Sequence, residues 1–333
     1  MTPGYATREG AVRYSARFPE AEAARFYRDA GGLRVSSLGL GTYLGAADDA
    51  TDDAYAEAVV AAVCRGVNFL DAAINYRHQR SERAIGVALD RLFRSGEFRR
   101  DEIVVCTKAG FLTPGAVDPE SLGPGDVVAR MHSMAPRFLA DQIDRSRANL
   151  GLETIDVFYL HNPETQLPHV DDFEARIAAA FEELERAVAA GRIRAYGTAT
   201  WDGYRKKPGL DLGRLADLAR AAGGDRHHFR FIQLPFNLAM PEALSNGVLA
   251  EAERLGITVV ASATLLQARL ARGLPGEVAE KFPGLATDAQ RAIQFTRSTP
   301  GISVALVGMG RREHVIENLG VATVPPAARE DYL

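Results

Sequence analysis

The chain is predicted to form a single closed (β/α)8 barrel, a TIM barrel of the α/β class, on three observations. Short β-branched runs alternate with longer amphipathic segments rich in Ala, Glu and Arg, most of the connections between them are short, and three consecutive strand candidates end in an ionisable side chain. Strand-like runs that alternate with helical patterns read as βαβ units of a parallel sheet, and eight such units suit a closed barrel. An open, doubly wound sheet shares the alternation, because closure leaves no mark on the pattern.

In order, the strand candidates are VSSLGLG at 35–41, VNFLD at 67–71, EIVVCTK at 102–108 and IDVFYLH at 155–161. IRAYGTA at 193–199, FRFIQLP at 229–235, ITVVASA at 257–263 and ISVALVG at 302–308 complete the set. Between them lie helical patterns such as DDAYAEAVVAAVCRG, SERAIGVALDRLFRSG, DDFEARIAAAFEELERAVAAG and SNGVLAEAERLG, with glycines where helix C-caps are expected. No low-complexity linker or charge run marks an internal boundary, so residues 1–30 read as an N-terminal extension and 31–333 as the barrel.

With 39 basic and 43 acidic residues and a formal net charge of -4, the chain lacks the one-signed field that gathers nucleic acid or an anionic membrane surface. The opening residues hold no apolar core of a signal peptide, and no window approaches the ~18 apolar residues of a membrane span, so a cytoplasmic location is expected. Cys64 lies in an apolar helical pattern and Cys106 in a strand, which predicts two reduced core thiols, with neither a disulfide frame nor a metal ribbon. His227 and His228 lack further ligands at metal spacing and read as a solvated loop, so no metal site is expected.

The chemistry concentrates where VNFL runs into Asp71, IVVCT into Lys108 and DVFYL into His161. In a parallel barrel the three emerge on the face that carries the βα loops, where catalytic groups of such barrels sit. Tyr76, in the loop after Asp71, can lean over the same mouth. Singly, an Asp or Lys after a strand is a turn residue or a solvated charge, and a lone loop Tyr is a packing residue; the four together suit protonation of a carbonyl oxygen as a hydride reaches its carbon. A free phenol, with a pKa of about 10, is a weak acid at neutral pH, and a nearby ammonium lowers that value. On this reading Lys108 tunes Tyr76, Asp71 holds Lys108, and His161 donates to the carbonyl oxygen.

The sequence resembles the aldo-keto reductases from about Gly32 to Gly320. LRVSSLGLGTYLG is similar to the family's opening strand and loop, GVNFLDAAINYRHQRSERAIG to its Asp/Tyr signature, and IVVCTKAGF to its catalytic-lysine strand. DVFYLHNPE resembles the histidine strand, IRAYGTATW the fifth strand, and SVALVGMGRREHVIENLG the closing cofactor segment. The resemblance implies a catalytic tetrad of Asp71, Tyr76, Lys108 and His161, and NADPH lying across the barrel mouth. Arg311 falls where the family commonly meets the adenosine 2′-phosphate, Gly308 and Gly310 let the backbone approach phosphate, and His314, Glu317 and Asn318 match positions near the adenine. A helix starting near Arg312 would add free N–H groups for phosphate.

At the nicotinamide end the resemblance assigns Thr42, Tyr43, Asp71 and Gln233 to the cofactor, but Ala199 and Thr200 stand where a Ser-Asn pair is usual, and Ser262 where many members stack an aromatic ring. Leu265 and Arg269 match the stretch that straps the pyrophosphate, while Tyr43, His161 and Trp201 are expected against a small carbonyl substrate. LGLGTYLG misses the Rossmann glycine spacing, and no Tyr-x-x-x-Lys supports a short-chain dehydrogenase. The implied activity is NADPH-dependent reduction of an aldehyde or ketone, with a regulatory or redox-sensing NADPH-binding barrel as the alternative. The long segment between Lys108 and a helix expected near Pro136 is read as a folded-back loop in which Phe111, Leu112, Met131 and Met134 cover the pocket mouth.

Overall fold

The computed structural model describes residues 1–328 and 330, so 329 and 331–333, the last part of the barrel segment expected at 31–333, lie outside the described residues. Two short helices, α1 (Arg8–Ser15) and α2 (Pro19–Ala23), lead into an antiparallel hairpin of β1 (Tyr27–Ala30) and β2 (Leu33–Ser36). Eight parallel strands follow: β3 (Leu38–Gly41), β4 (Phe69–Asp71), β5 (Val104–Ala109), β6 (Ile155–His161), β7 (Ile193–Ala199), β8 (Phe229–Pro235), β9 (Thr258–Ser262) and β10 (Ile302–Gly308). They close into a barrel as β10 pairs with β3 and each strand with the next in sequence. The open-sheet alternative is thereby excluded.

Helices α3 (Asp49–Val63), α4 (Arg80–Arg94), α5 (Pro136–Leu150), α6 (Phe173–Ala189), α7 (Leu212–Gly223) and α8 (Val248–Leu255) cover the outside, followed by α9 (Gly276–Lys281), α10 (Asp288–Ser298) and α11 (Arg312–Asn318). Their boundaries have local causes. The side chains of Asp48, Asp211 and Thr287 accept backbone N–H bonds at the starts of α3, α7 and α10, and Pro136 opens α5, where a missing N–H costs nothing.

Four strands, at 155–161, 193–199, 229–235 and 302–308, have the bounds read from sequence. The expected strand at 35–41 is divided instead: Leu33–Ser36 belongs to the hairpin, and the barrel strand begins at Leu38. Asn68 explains the break, because its side-chain oxygen accepts from the Ser36 N–H and its amide donates to the Arg34 carbonyl, tying the hairpin to the entry of β4. Cys64 is also corrected. Helix α3 stops at Val63, which leaves Cys64 as an exposed cap residue, whereas Cys106 is buried in the barrel.

Period-2 alternation builds two hydrophobic layers. Phe69, Val104, Cys106, Val157, Tyr159 and Phe231 fill the barrel interior, while Leu70, Val105, Phe158, Leu160 and Ile232 face outward beneath the helices. Each fully buried aromatic ring contributes about 2–3 kcal/mol by area removed from water. Ala6, Ala30 and Val35 join the interior layer, and a Cβ added at Gly31 would strike the Phe231 ring at 2.3 Å, so the hairpin turn plugs the end of the barrel remote from the βα loops. The plug is held by Arg13 and Arg17 on the buried Glu102, and by the Tyr14 hydroxyl, which donates to the carbonyls of Val63 and Val67. No helix among the described residues is long and apolar enough to cross a membrane.

Candidate active site

The alternation that stacks apolar side chains inside the barrel delivers polar ones at the strand ends. Two residues beyond Phe69 comes Asp71, two beyond Cys106 comes Lys108, two beyond Tyr159 comes His161, and two beyond Phe231 comes Gln233. Lys108 is fully buried, with Nζ 2.5 Å from Asp71 Oδ2 and 2.7 Å from the Ala72 carbonyl oxygen. The other Asp71 oxygen accepts from the Gln233 amide at 2.9 Å. A buried ion pair is held this way only when its remaining hydrogen-bond capacity is met, since removing one partner strands the other charge.

Tyr76 reaches the site from the loop after β4. The three residues that follow it, Arg77, His78 and Gln79, all have left-handed backbone with φ of 50°, 55° and 71°, a conformation that costs of order 1–3 kcal/mol each and persists only when its surroundings enforce it. Arg77 supplies much of that enforcement: its guanidinium donates to the Ala46 carbonyl, pairs with Asp52, and lies 5.0 Å from the Tyr55 ring centroid. The Tyr76 ring lies 5.7 Å from the His161 ring at 78° and 5.0 Å from the Tyr43 ring at 68°.

Burial dominates the proton affinities here. It pushes the Tyr76 phenol above its ordinary value, against the opposing pull of the Lys108 ammonium. Burial alone would lower Lys108, but the Asp71 carboxylate and Tyr76 outweigh it and hold the ammonium above its usual range. Asp71 is raised by burial while Lys108 and Gln233 pull it down; the geometry of the ion pair keeps both groups charged near neutral pH. His161 is held well below 6.5 by burial, then by Lys108 and His132, so its imidazole is neutral. The expectation that Lys108 lowers the phenol is therefore corrected in its net sign: desolvation exceeds the ammonium's effect.

These groups converge on a cavity of about 480 Å³, in the range of small-molecule sites. Of the residues expected from sequence, Thr42, Tyr43, Asp71, Tyr76, His161, Thr200, Trp201, Gln233, Ser262, Leu265 and Gly308 line it, and Lys108 lies behind Asp71. Arg269, Gly310, Arg311, His314, Glu317 and Asn318 do not. Arg269 is exposed in the loop after β9, while Gly310 packs against Tyr55 and the other four continue along the N-cap and body of α11, with Arg311 and His314 exposed and Asn318 buried.

Four buried polar atoms on cavity residues, Asn75 Oδ1, His161 Nδ1, Thr200 Oγ1 and Thr264 Oγ1, have no hydrogen-bond partner among the described residues. Such atoms cost about 1–3 kcal/mol each when left unpaired. A polar guest that bonds to them removes that cost, so the lining fits a carboxamide-bearing nicotinamide. Gly308 adds room, since a Cβ there would meet nothing nearer than 3.9 Å. No group of three or more His, Cys, Asp or Glu able to hold a metal ion is present among the described residues.

The long segment after β5 folds back on itself, with Leu112 N–H donating to the Met131 carbonyl and Val128 N–H to the His132 carbonyl. Only Phe111 of the four expected apolar residues lines the cavity. Met134 is buried in the outer core, Met131 is exposed and Leu112 is half-buried, because the fold-back tethers the two ends to each other before either spans the mouth. His227 and His228 are likewise less solvated than expected: His227 is buried, and His228 Nδ1 lies 2.7 Å from Glu185 Oε2.

Sequence reasoning passed over Asn75, Asn162, Gln267 and Ala268, which line the cavity from loops. Their position just after strand-end motifs was a usable signal. It also passed over Glu164, whose Oε1 accepts from the N–H groups of Trp201, Asp202 and Gly203 at 2.9, 3.0 and 3.2 Å. That contact joins loops 38 residues apart or nearly so in sequence, which no local pattern reveals.

Comparison with known proteins agrees with this architecture. Residues 37–332 match the model of the aldo/keto reductase family. The aldo/keto reductase of Klebsiella pneumoniae in complex with NADP and acetate superposes with a TM-score of 0.68 and 21% identity, over 92% of this chain and 93% of that one. An aldo-keto reductase of Bacillus halodurans in its holo form gives 0.66 and 19% over 92% and 93%. Among sequence relatives, the D-threo-aldose 1-dehydrogenase of a Pseudomonas species is 33% identical over 178 residues, a match spanning about half of either chain, at 50% and 51%. A putative voltage-gated potassium channel subunit beta of Schizosaccharomyces pombe is 23% identical over 316 residues, covering 86% and 85%. With the family matched over most of its length, the chain belongs to the aldo/keto reductases and is an oxidoreductase of that type.

Proposed function

We propose that the protein reduces an aldehyde or ketone to the alcohol with NADPH, using Tyr76 as general acid. The observation that carries this reading is the convergence of Tyr76, the Lys108–Asp71 pair and a neutral His161 on one cavity. When bound, NADPH supplies the hydride that reaches the carbonyl carbon. The protein's part is to hold the carbonyl and to move a proton: as the C=O bond opens, the oxygen takes the Tyr76 proton, and the phenolate left behind is stabilised by Lys108. His161, neutral, can donate an N–H to the same oxygen. General acid help of this kind is worth about 10² to 10⁴ in rate. Thr42, Tyr43, Thr200, Gln233 and Ser262 would line the nicotinamide end, Leu265 and Arg269 the pyrophosphate, and Gly308, Gly310, Arg311, His314, Glu317 and Asn318 the adenosine end. Trp201, with Tyr43, would wall the substrate.

The same residues run in reverse would oxidise an alcohol, and the Pseudomonas relative, by its name an aldose dehydrogenase, favours testing sugars in that direction. The likeness to a channel beta subunit supports a second reading, an NADPH-binding regulatory barrel with little turnover. An intact acid and its ammonium argue for the enzyme. Purified protein mixed with NADPH and a panel of aldehydes, or with NADP and aldoses, tests the two: loss or gain of reduced-nicotinamide absorbance supports the enzyme, and cofactor binding without turnover supports the regulatory barrel.

A further inference from the structure

His132 is fully buried and bonded at both ring nitrogens. Nε2 lies 2.7 Å from the backbone carbonyl oxygen of His161, which can only accept, so Nε2 carries the hydrogen. A neutral ring then offers Nδ1 as an acceptor, and the Gln166 amide donates to it at 3.0 Å. Burial keeps the ring neutral by lowering its pKa to about 4. One side chain thus bridges the fold-back loop, the last residue of β6, and the turn after it.

The bridge also sets a wall of the cavity. The Phe111 ring stands edge-on between two histidines, 5.3 Å from His132 at 90° and 5.2 Å from His161 at 86°. Around it, Ser133 N–H donates to the Gly110 carbonyl, and Phe111 pairs with His132 as an isolated antiparallel bridge. Gly110 is required by this closeness: a Cβ there would lie 2.5 Å from the His161 carbonyl oxygen and 2.6 Å from His132 Nε2.

We infer that His132 is a positioning residue, acting through the His161 carbonyl and the Phe111 ring to fix the imidazole and the substrate wall as one unit. The inference rests on the carbonyl-reducing reading of the cavity. A carbonyl substrate held against His161 and Phe111 must meet both at once, and misplacing a catalytic group by about 1 Å costs on the order of a hundredfold in rate.

The test compares His132→Leu, which keeps an apolar filling but removes both bonds, with His132→Gln, whose amide can donate toward the same carbonyl. In steady-state reduction His132→Leu should lower kcat by roughly tenfold to a hundredfold with the NADPH Kd unchanged, and His132→Gln should recover most of the loss. The His161 ring ¹⁵N resonances should shift in His132→Leu and return toward the parent in His132→Gln. That signal does not depend on turnover, so it tests the bridge even if the wild type reduces nothing, an outcome that would count against the functional reading alone. Gln166→Leu, removing only the bond to Nδ1, serves if His132→Leu does not fold, and should lower kcat in the same direction. Wild-type kcat and unmoved His161 resonances in the folded variant, or equal impairment by Leu and Gln, overturn the proposal.

Discussion

The Lys108 ammonium stands 4.8 Å from the Tyr76 ring centroid, and yet the phenol stays above its ordinary proton affinity. The burial of the hydroxyl is the larger effect. The free protein therefore keeps Tyr76 protonated across neutral pH, with the cation in place for the moment the proton leaves. Poising the acid in its protonated form and pre-placing the compensating charge avoids reorganisation during the reaction.

Glu164 is expected to control the Trp201 wall. Its Oε1 gathers three backbone N–H groups of the loop after β7, and burial raises its pKa against those bonds. Glu164→Ala leaves the three donors without this acceptor and should raise KM several-fold while changing the NADPH Kd little, on the ~1–3 kcal/mol scale of lost buried hydrogen bonds. Glu164→Gln, which keeps an acceptor oxygen, should restore most of the KM. Steady-state kinetics over small and bulky aldehydes, with cofactor titration alongside, checks this.

The histidine contribution to stability should fall as pH drops below about 6.5. His132, lowered to about 4, and His161, held well below 6.5 by burial, stay neutral in the folded chain, whereas an unfolded histidine gains its proton near 6.5. Between those values the unfolded state binds more protons, so each histidine removes about 1.4 kcal/mol of stability per pH unit of acidification. The contribution is fully present above 6.5 and is lost as pH falls toward the folded value. Denaturant unfolding of wild type and His132→Gln between pH 7 and 4.5 measures it, and the variant should show the shallower decline.

Arg311 offers an exposed guanidinium at the N-cap of α11. If it meets the adenosine 2′-phosphate, Arg311→Ala weakens NADPH binding by roughly 1–3 kcal/mol and leaves NADH unchanged. Equal weakening of both cofactors, or of neither, transfers the role to Arg312. Fluorescence titration with the two cofactors distinguishes the cases.

The barrel was legible because its strands are short, β-branched and regularly spaced, and four of them appear with the bounds read from sequence. The ion pair of Asp71 and Lys108 was legible for the same reason, since strand period and strand end together dictate where their side chains emerge. What the sequence hid is held by contacts between distant segments. Asn68 splits the first expected strand by bonding across 32 residues, and His132 meets His161 across 29. The apolar residues of the long loop were misassigned because hydrophobicity alone cannot tell a pocket wall such as Phe111 from a core residue such as Met134.

Tyr76→Phe tests the central claim most directly, because it deletes the acidic hydroxyl and keeps the ring that packs on Tyr43 and His161. Single-turnover reduction of a reactive aldehyde by the NADPH complex, followed by absorbance, should slow by about 10² to 10⁴ while the NADPH Kd stays within about twofold. Wild-type rates in Tyr76→Phe would contradict the assignment of the proton to Tyr76.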